Sequence, residues 1–252
     1  MSGDRYRFEE PLIEGLVVKR PNRFIMDVVV DGEHQRCHCP TTGRIGDIRF
    51  KNVPCLVERS RDPSRSTWGT VEAISLDPPD KKEKMWIGID QSRANDIVAF
   101  FIGSGLLHMM VDDVRTLKRE VRMGGSRIDF LINEELLLEV KTPLHMLIVE
   151  GYPEHVSTEG FTSFERTMRH FTEISEHIPE GKRGIVLLCH LYDAPRFQVP
   201  VTRGGPSEMM RAAVRRATEK GVENWQANFR LDRTGVELGD CFELKLFENM
   251  SH

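Results

Sequence analysis

The alternation of apolar and polar residues changes character at about residue 80, and that change divides the chain. Before it the period is two, as expected where successive side chains point to opposite faces of a strand. This pattern predicts strands over residues 12–19, 24–30, 55–59 and 68–75, separated by turn dipeptides such as Asp31-Gly32 and Thr42-Gly43. A small all-β unit follows from it. The run Asp77-Pro78-Pro79-Asp80-Lys81-Lys82-Glu83-Lys84 joins two prolines to a cluster of charges, which disfavours both a helix and a central strand. The expected boundary between two domains, 1–82 and 83–252, is placed there.

Beyond it the apolar spacing predicts a helix over 93–111, strands over 116–122, 127–132 and 136–142, and a second helix over 164–177. In that second helix Phe164, Met168, Phe171 and Ile174 share one face. A buried strand over 184–191, a helix over 207–220 with Gly221 as its C-cap, and a late strand over 225–230 complete the pattern. The order αβββαβ describes an α/β domain with helices laid on a mixed sheet.

Composition adds constraints. With 39% hydrophobic and 29% charged residues, the 252-residue chain can bury a core. The net charge of −4, from 35 basic and 39 acidic side chains, argues against a basic coat over the whole surface. Residues 1–70 nevertheless hold 12 basic against 10 acidic side chains, and ten of the basic ones are Arg, the better fork for phosphate. Five cysteines are too few for a disulfide scaffold in a chain this long. The opening MSGDRYRFEEPLIEG is charged where a signal peptide needs an apolar run. The apolar stretch 97–111 is shorter than a bilayer span and is interrupted by Gly103, Ser104, Gly105 and His108. A cytoplasmic location is the expectation.

The most informative segment for chemistry is 124–142. Alternation puts Ile128, Phe130 and Ile132 on one face of a strand, and Leu136, Leu138 and Val140 on one face of the next. If those faces share a core, Ile132 pairs with Leu136 and Phe130 with Leu138 across a loop Asn133-Glu134-Glu135, and Asp129 stands opposite Glu139 with Lys141 on the same face. Side chains so paired lie about 5 Å apart at Cβ and repel unless a positive charge lies between them. A hard divalent cation such as Mg²⁺ or Mn²⁺ meets that need. Lys141 beside it could polarise water or stabilise a phosphorane-like transition state. A strand face bearing Asp, Glu and Lys is also the ordinary solvated pattern, so the hairpin alone leaves both readings open.

The order of elements, with Asp on the second strand and Glu-x-Lys on the third, resembles the PD-(D/E)xK nuclease fold. The whole chain resembles the sugar fermentation stimulation protein A (SfsA) family. The likeness runs through Lys19-Arg20-Pro21-Asn22-Arg23-Phe24, His38-Cys39-Pro40-Thr41-Thr42-Gly43-Arg44, Ile89-Asp90-Gln91-Ser92-Arg93-Ala94-Asn95, Glu120 to Gly124, Ser126-Arg127-Ile128-Asp129-Phe130 and Glu139-Val140-Lys141. The resemblance implies an N-terminal OB-like barrel that binds DNA and a C-terminal nuclease-like domain. It also implies Glu120, Asp129, Glu139 and Lys141 at a metal centre, with Arg127 beside it. Family members are described both as DNA-binding regulators of sugar metabolism genes and as nucleases. The chain departs from the family at Thr41, at Ala94 and over 164–171, where only Arg166, Arg169 and neighbouring residues keep the basic pattern.

Arg20, Arg23 and Arg44 flank turns of the β domain, where OB loops grip nucleic acid. Phe8, Phe24, Phe50 and Trp68 are the aromatic candidates, with Phe24 expected in the barrel core. Cys37-His38-Cys39 has no matching cysteine pair to complete a zinc site, so buried thiols are expected. Arg166 and Arg169 lie on the polar face of the second helix, where phosphate contact and simple solvation are equally served.

Overall fold

A computed structural model describes residues 4–41, 43–123, 126–156, 175–176, 178, 182–198 and 206–245. Strand β1 (Arg5–Arg7) is followed by β2 (Ile13–Asn22), β3 (Ile25–Val30), β4 (Glu33–His38), β5 (Val53–Arg59), β6 (Gly69–Ile74) and β7 (Ile87–Gly88). The last six form one sheet in the order β4-β3-β2-β5-β6-β7, and a parallel contact of His38 with Thr70 joins β4 to β6. That contact closes β2 to β6 into the expected OB barrel. Met26, Val28 and Val30 alternate into its interior with Val17, Val57 and Val71, so two-fold patterning and closure have the same cause.

The proline- and charge-rich run is part of this unit. Asp77 is buried and accepts bonds from Lys81 Nζ and Met85 N, both at 2.7 Å, and from the Tyr152 hydroxyl. The chain then returns as β7 against β6, so the sheet of the first unit runs past residue 82. At the other end β1 leaves the barrel sheet altogether and joins the second sheet.

The second unit contains α1 (Gln91–Gly103), β8 (Leu117–Met123), β9 (Ser126–Ile132), β10 (Leu136–Lys141), the short pair β11 (Met146–Leu147) and β12 (His155–Val156), β13 (Arg183–His190), α2 (Pro206–Glu219), β14 (Val222–Leu231) and β15 (Gly235–Glu243). Its main sheet has the order β1-β15-β14-β13-β10-β9-β8, with β10, β13 and β14 parallel and the outer pairs antiparallel. Helix α1 starts at an N-cap, the Asp90 carboxylate accepting from Ser92 N at 2.9 Å and Arg93 N at 3.2 Å. It ends at Gly103, short of the expected residue 111, because Gly105 turns the chain with φ 74°. Helix α2 stops where expected, at Gly221 with φ 88°. The helix expected over 164–177 lies outside the described residues apart from Ser175 and Glu176.

Alternation along the strands sorts two cores. Leu138, Ile185, Leu187 and Phe229 face α1, whereas Leu137, Val186 and Val222 face Val214 and Ala217 of α2. Phe130 and Ile132 lie on the α1 side as expected, but Ile128 packs with Leu137 and Val186 on the other. The two-residue rule fails at this point because the strands are irregular between Phe130 and Ile128. Glu120, in the neighbouring strand β8, takes a left-handed φ of 53° there and drops out of the pairing. Among the described residues no helix is long and apolar enough to cross a membrane.

Candidate functional site

Strands β9 and β10 pair in the predicted register, Ile132 with Leu136 and Phe130 with Leu138. The tight loop has no glycine, and Asn133 and Glu134 supply the left-handed residues instead, at φ 52° and 59°. Asn133 holds that turn in place. Its Oδ1 accepts from Arg115 N and Thr116 N at 2.8 and 3.0 Å, and its Nδ2 donates to Asp113 O at 2.7 Å.

The main-chain ladder stops after Phe130 and Leu138, and side chains continue it. Val140 N donates to Asp129 Oδ2 at 2.8 Å, and Asp129 N donates to Glu139 Oε2 at 3.3 Å. The two carboxylates are thereby held against each other's backbone. Lys141 Nζ donates to Glu139 Oε1 at 2.5 Å, and Asn95 Nδ2, reaching from α1, donates to Asp129 Oδ1 at 2.9 Å. Gln91, one turn earlier on the helix, bonds Thr142 O at 3.4 Å. The first turns of α1 and the end of β10 are thus tied together around the pair.

Electrostatics follow from this enclosure. Glu139 is 2% exposed. Burial first, and the charge of Glu139 second, raise the Asp129 pKa, while Val140 N–H, Lys141 and Asn95 pull it down. The two carboxylates lie beside the Lys141 ammonium, and carboxylate oxygens are hard donors of the kind a divalent cation takes. The set fits such an ion as a pair rather than a trio, since no group of three His, Cys, Asp or Glu able to hold a metal occurs among the described residues. Glu120 stands beside the site in β8, but its carboxylate is exposed and pairs with Arg127 at 3.0 Å. Asn95 is the site residue that sequence reasoning missed. It ends the Ile89–Asn95 motif, yet nothing in the spacing says that an amide one turn into a helix will meet Asp129.

The expected nucleic-acid residues divide. Arg20 is a structural brace whose Nη2 donates to Arg23 O, Thr41 O and Gly43 O at 3.2, 2.5 and 3.0 Å. Arg23 lies over the ring of Phe24, with Cζ 4.7 Å from the centroid, and Phe24 is 44% exposed instead of lying in the core. Arg44 is exposed on the following loop. Arg166 and Arg169 lie outside the described residues. Cys37 and Cys39 are buried, and burial pushes the Cys37 thiol up to about 11.

Two family models match the chain, the SfsA N-terminal OB domain over residues 18–89 and the sugar fermentation stimulation protein RE domain over residues 92–235. The chain belongs to the SfsA family. The division between the two models falls between β7 and α1, where the strand pairing also changes sheet. A sugar fermentation stimulation protein homolog of Methylobacterium nodulans is 32% identical over 240 residues, covering 92% of this chain and 96% of the relative. One from Alkaliphilus oremlandii is 30% identical over 250 residues, with the same coverage of 92% and 96%. The solved structure of Pyrococcus furiosus SfsA in complex with Ca²⁺ superposes with a TM-score of 0.74 at 21% identity, covering 96% of this chain and 98% of that one. Within the SfsA family this chain therefore keeps both domains and their fold.

Proposed function

We propose that this SfsA-family protein is a cytoplasmic DNA-binding phosphodiesterase, with a divalent cation held in its PD-(D/E)xK-like C-terminal domain. The observation that carries the reading is the convergence of Asp129, Glu139 and Lys141 in one enclosed cluster, with Asn95 and Val140 N–H fixing Asp129. Asp129 and Glu139 would hold Mg²⁺ or Mn²⁺. The Ca²⁺ named for the Pyrococcus furiosus relative is of the same oxygen-seeking class, which supports the choice. When bound, the cation supplies Lewis acidity and a water activated at neutral pH.

The chain's own groups do the rest. Glu139 keeps the Lys141 ammonium beside the carboxylate pair, where its charge opposes the negative charge that grows on the phosphoryl oxygens. Asn95 prevents Asp129 from rotating away. Glu120 and Arg127 form an exposed pair at the rim, where Arg127 can meet a phosphate, and Glu120 acts on the cation at most through water. Arg23 and Arg44 on the barrel supply further phosphate contacts.

The test is cleavage of DNA by purified protein with Mg²⁺ or Mn²⁺. Lys141→Ala should fold and bind DNA, and cleave about a hundredfold more slowly, the scale of one lost electrostatic contact in a transition state. Cleavage at the native rate would place the activity elsewhere. One observation favours a second reading, a DNA-binding regulator of sugar metabolism genes with a vestigial site: the structure gathers two carboxylates, and Glu120 is engaged by Arg127. Intact DNA under all metal conditions would decide for it.

A further inference from the structure

We propose that the barrel takes an unpaired single strand of DNA across β4, with one base stacked on Phe24 and another against Trp68. The proposal rests on the reading of DNA as the ligand and names the form that the barrel selects.

Phe24 and Met109 are the exposed large hydrophobic residues among those described. An exposed ring alone needs no explanation. Phe24 differs in how firmly it is presented. Asn22 Oδ1 accepts from Phe24 N at 2.9 Å, Cys39 N donates to Phe24 O at 2.7 Å, and the three bonds of Arg20 tie the β2–β3 turn to the loop after β4. The turn that carries the ring is fixed in this way, so little backbone freedom is lost when something stacks on Phe24. The Arg23 guanidinium already lies over this ring, as Arg59 does over Trp68 at 5.7 Å from the centroid.

Strand register relates the two stations. His38 on β4 pairs with Ile25 on one side and Thr70 on the other. Phe24 O accepts from Cys39 N, just past the end of β4, and Trp68 N donates to Arg36 O within β4 at 2.8 Å. Two strand spacings across and three residues along give a diagonal of about 14 Å, within the reach of the roughly 4–16 nucleotides that an OB fold covers. Charge agrees with a polyanion on this path. Arg23, Arg59 and Arg65 have no carboxylate partner among the described residues, and Arg65 Nη2 bonds Thr70 Oγ1 at 3.0 Å. Asp27 is neutralised by Lys19 at 3.3 Å and Arg36 at 3.5 Å, while Asp62 is turned into its own loop by Ser64 N and Oγ. A duplex offers this surface only phosphates and base edges, because its base faces are already stacked. An unpaired strand can offer both faces and phosphates.

The experiment uses a labelled oligothymidylate of about 16 nucleotides and a duplex of equal length. Trp86 and Trp225 are buried and Trp68 is half-buried, so quenching of tryptophan fluorescence on binding reports Trp68. The oligothymidylate should quench it, and the quench should vanish in Trp68→Phe. Phe24→Ala should weaken oligothymidylate binding about tenfold, within the range for one stacked base, and leave duplex binding nearly unchanged. Equal affinity for duplex and single strand, or an unchanged affinity in Phe24→Ala, overturns the proposal. Cleavage is scored separately: single-strand stacking without hydrolysis removes the enzymatic reading alone, and metal-dependent cleavage confined to duplex removes the stacking proposal alone.

Discussion

Replacing Glu72 by Gln should change how the stability of this protein depends on pH, and the structure sets the size of the change. Glu72 on β6 is 1% exposed and receives Arg93 from α1, with Nη2 at 3.0 Å and Nε at 3.2 Å; Arg93 also reaches Glu58 on β5 at 2.5 Å. This buried cluster clamps the barrel to the second unit. Burial first and the charge of Asp90 second raise the Glu72 pKa from the ordinary 4.5 to about 7, against the pull of Arg93. The folded state therefore binds this proton more tightly than the unfolded chain. Between pH 4.5 and about 7 the folded state carries the extra proton, so the contribution of Glu72 to stability declines as pH rises through that window and is constant on either side. At about 1.4 kcal/mol per decade the decline is about 3 kcal/mol at most. Gln cannot ionise, and its weaker hold on Arg93 adds a constant offset. Urea unfolding followed by tryptophan fluorescence, at intervals from about pH 4 to 8, gives the difference between native protein and Glu72→Gln. That difference should shift toward the variant as pH rises through the window. A difference independent of pH would refute the reasoning.

Three further outcomes are expected. Phe130→Ala empties a fully buried ring site between α1 and the sheet and should cost about 3–5 kcal/mol in chemical denaturation. Asp90→Ala removes the N-cap of α1 and should cost about 1 kcal/mol in the same assay. In salt titrations of DNA binding, Arg23→Ala should lower the slope of log K against log salt by about 0.7–0.9. Arg20→Ala should leave that slope unchanged and lower the melting temperature, because its guanidinium is spent on three carbonyls.

The carboxylate hairpin was legible because burial specifies register: sliding β9 by one residue would take Phe130 and Ile132 off the face where they are buried with α1. The same argument misplaced Ile128, since a break in pairing at Glu120 and Asp129 leaves no mark in the alternation. Strand β4 was missed because Glu33, His34 and Arg36 face solvent and Cys37 is its buried residue, so no apolar run announces it. β1 and β15 escaped for a related reason. β1 is the edge strand of its sheet, and three residues have no periodicity to read, while β15 lies between β1 and β14 with a burial pattern that does not alternate. The Asp77–Lys84 run reads as a boundary in sequence because its charges and prolines show there, whereas the bonding of Asp77 from three directions does not. Phe24 is exposed, not in the expected core, because a turn can present an aromatic ring that an extended strand would have buried, and the bonds of Arg20 to three carbonyls across the neighbouring loops leave no mark in its spacing.

Whether Asp129 and Glu139 together hold a divalent cation is decided by calorimetric titration with Mn²⁺. One carboxylate alone competes poorly with hydration for so hard an ion, so binding should depend on both. Native protein should give a saturable isotherm, and the Asp129→Asn, Glu139→Gln double variant, verified as folded by its unfolding transition, should give none. Identical isotherms from the two proteins would show that the cation is not held by this pair.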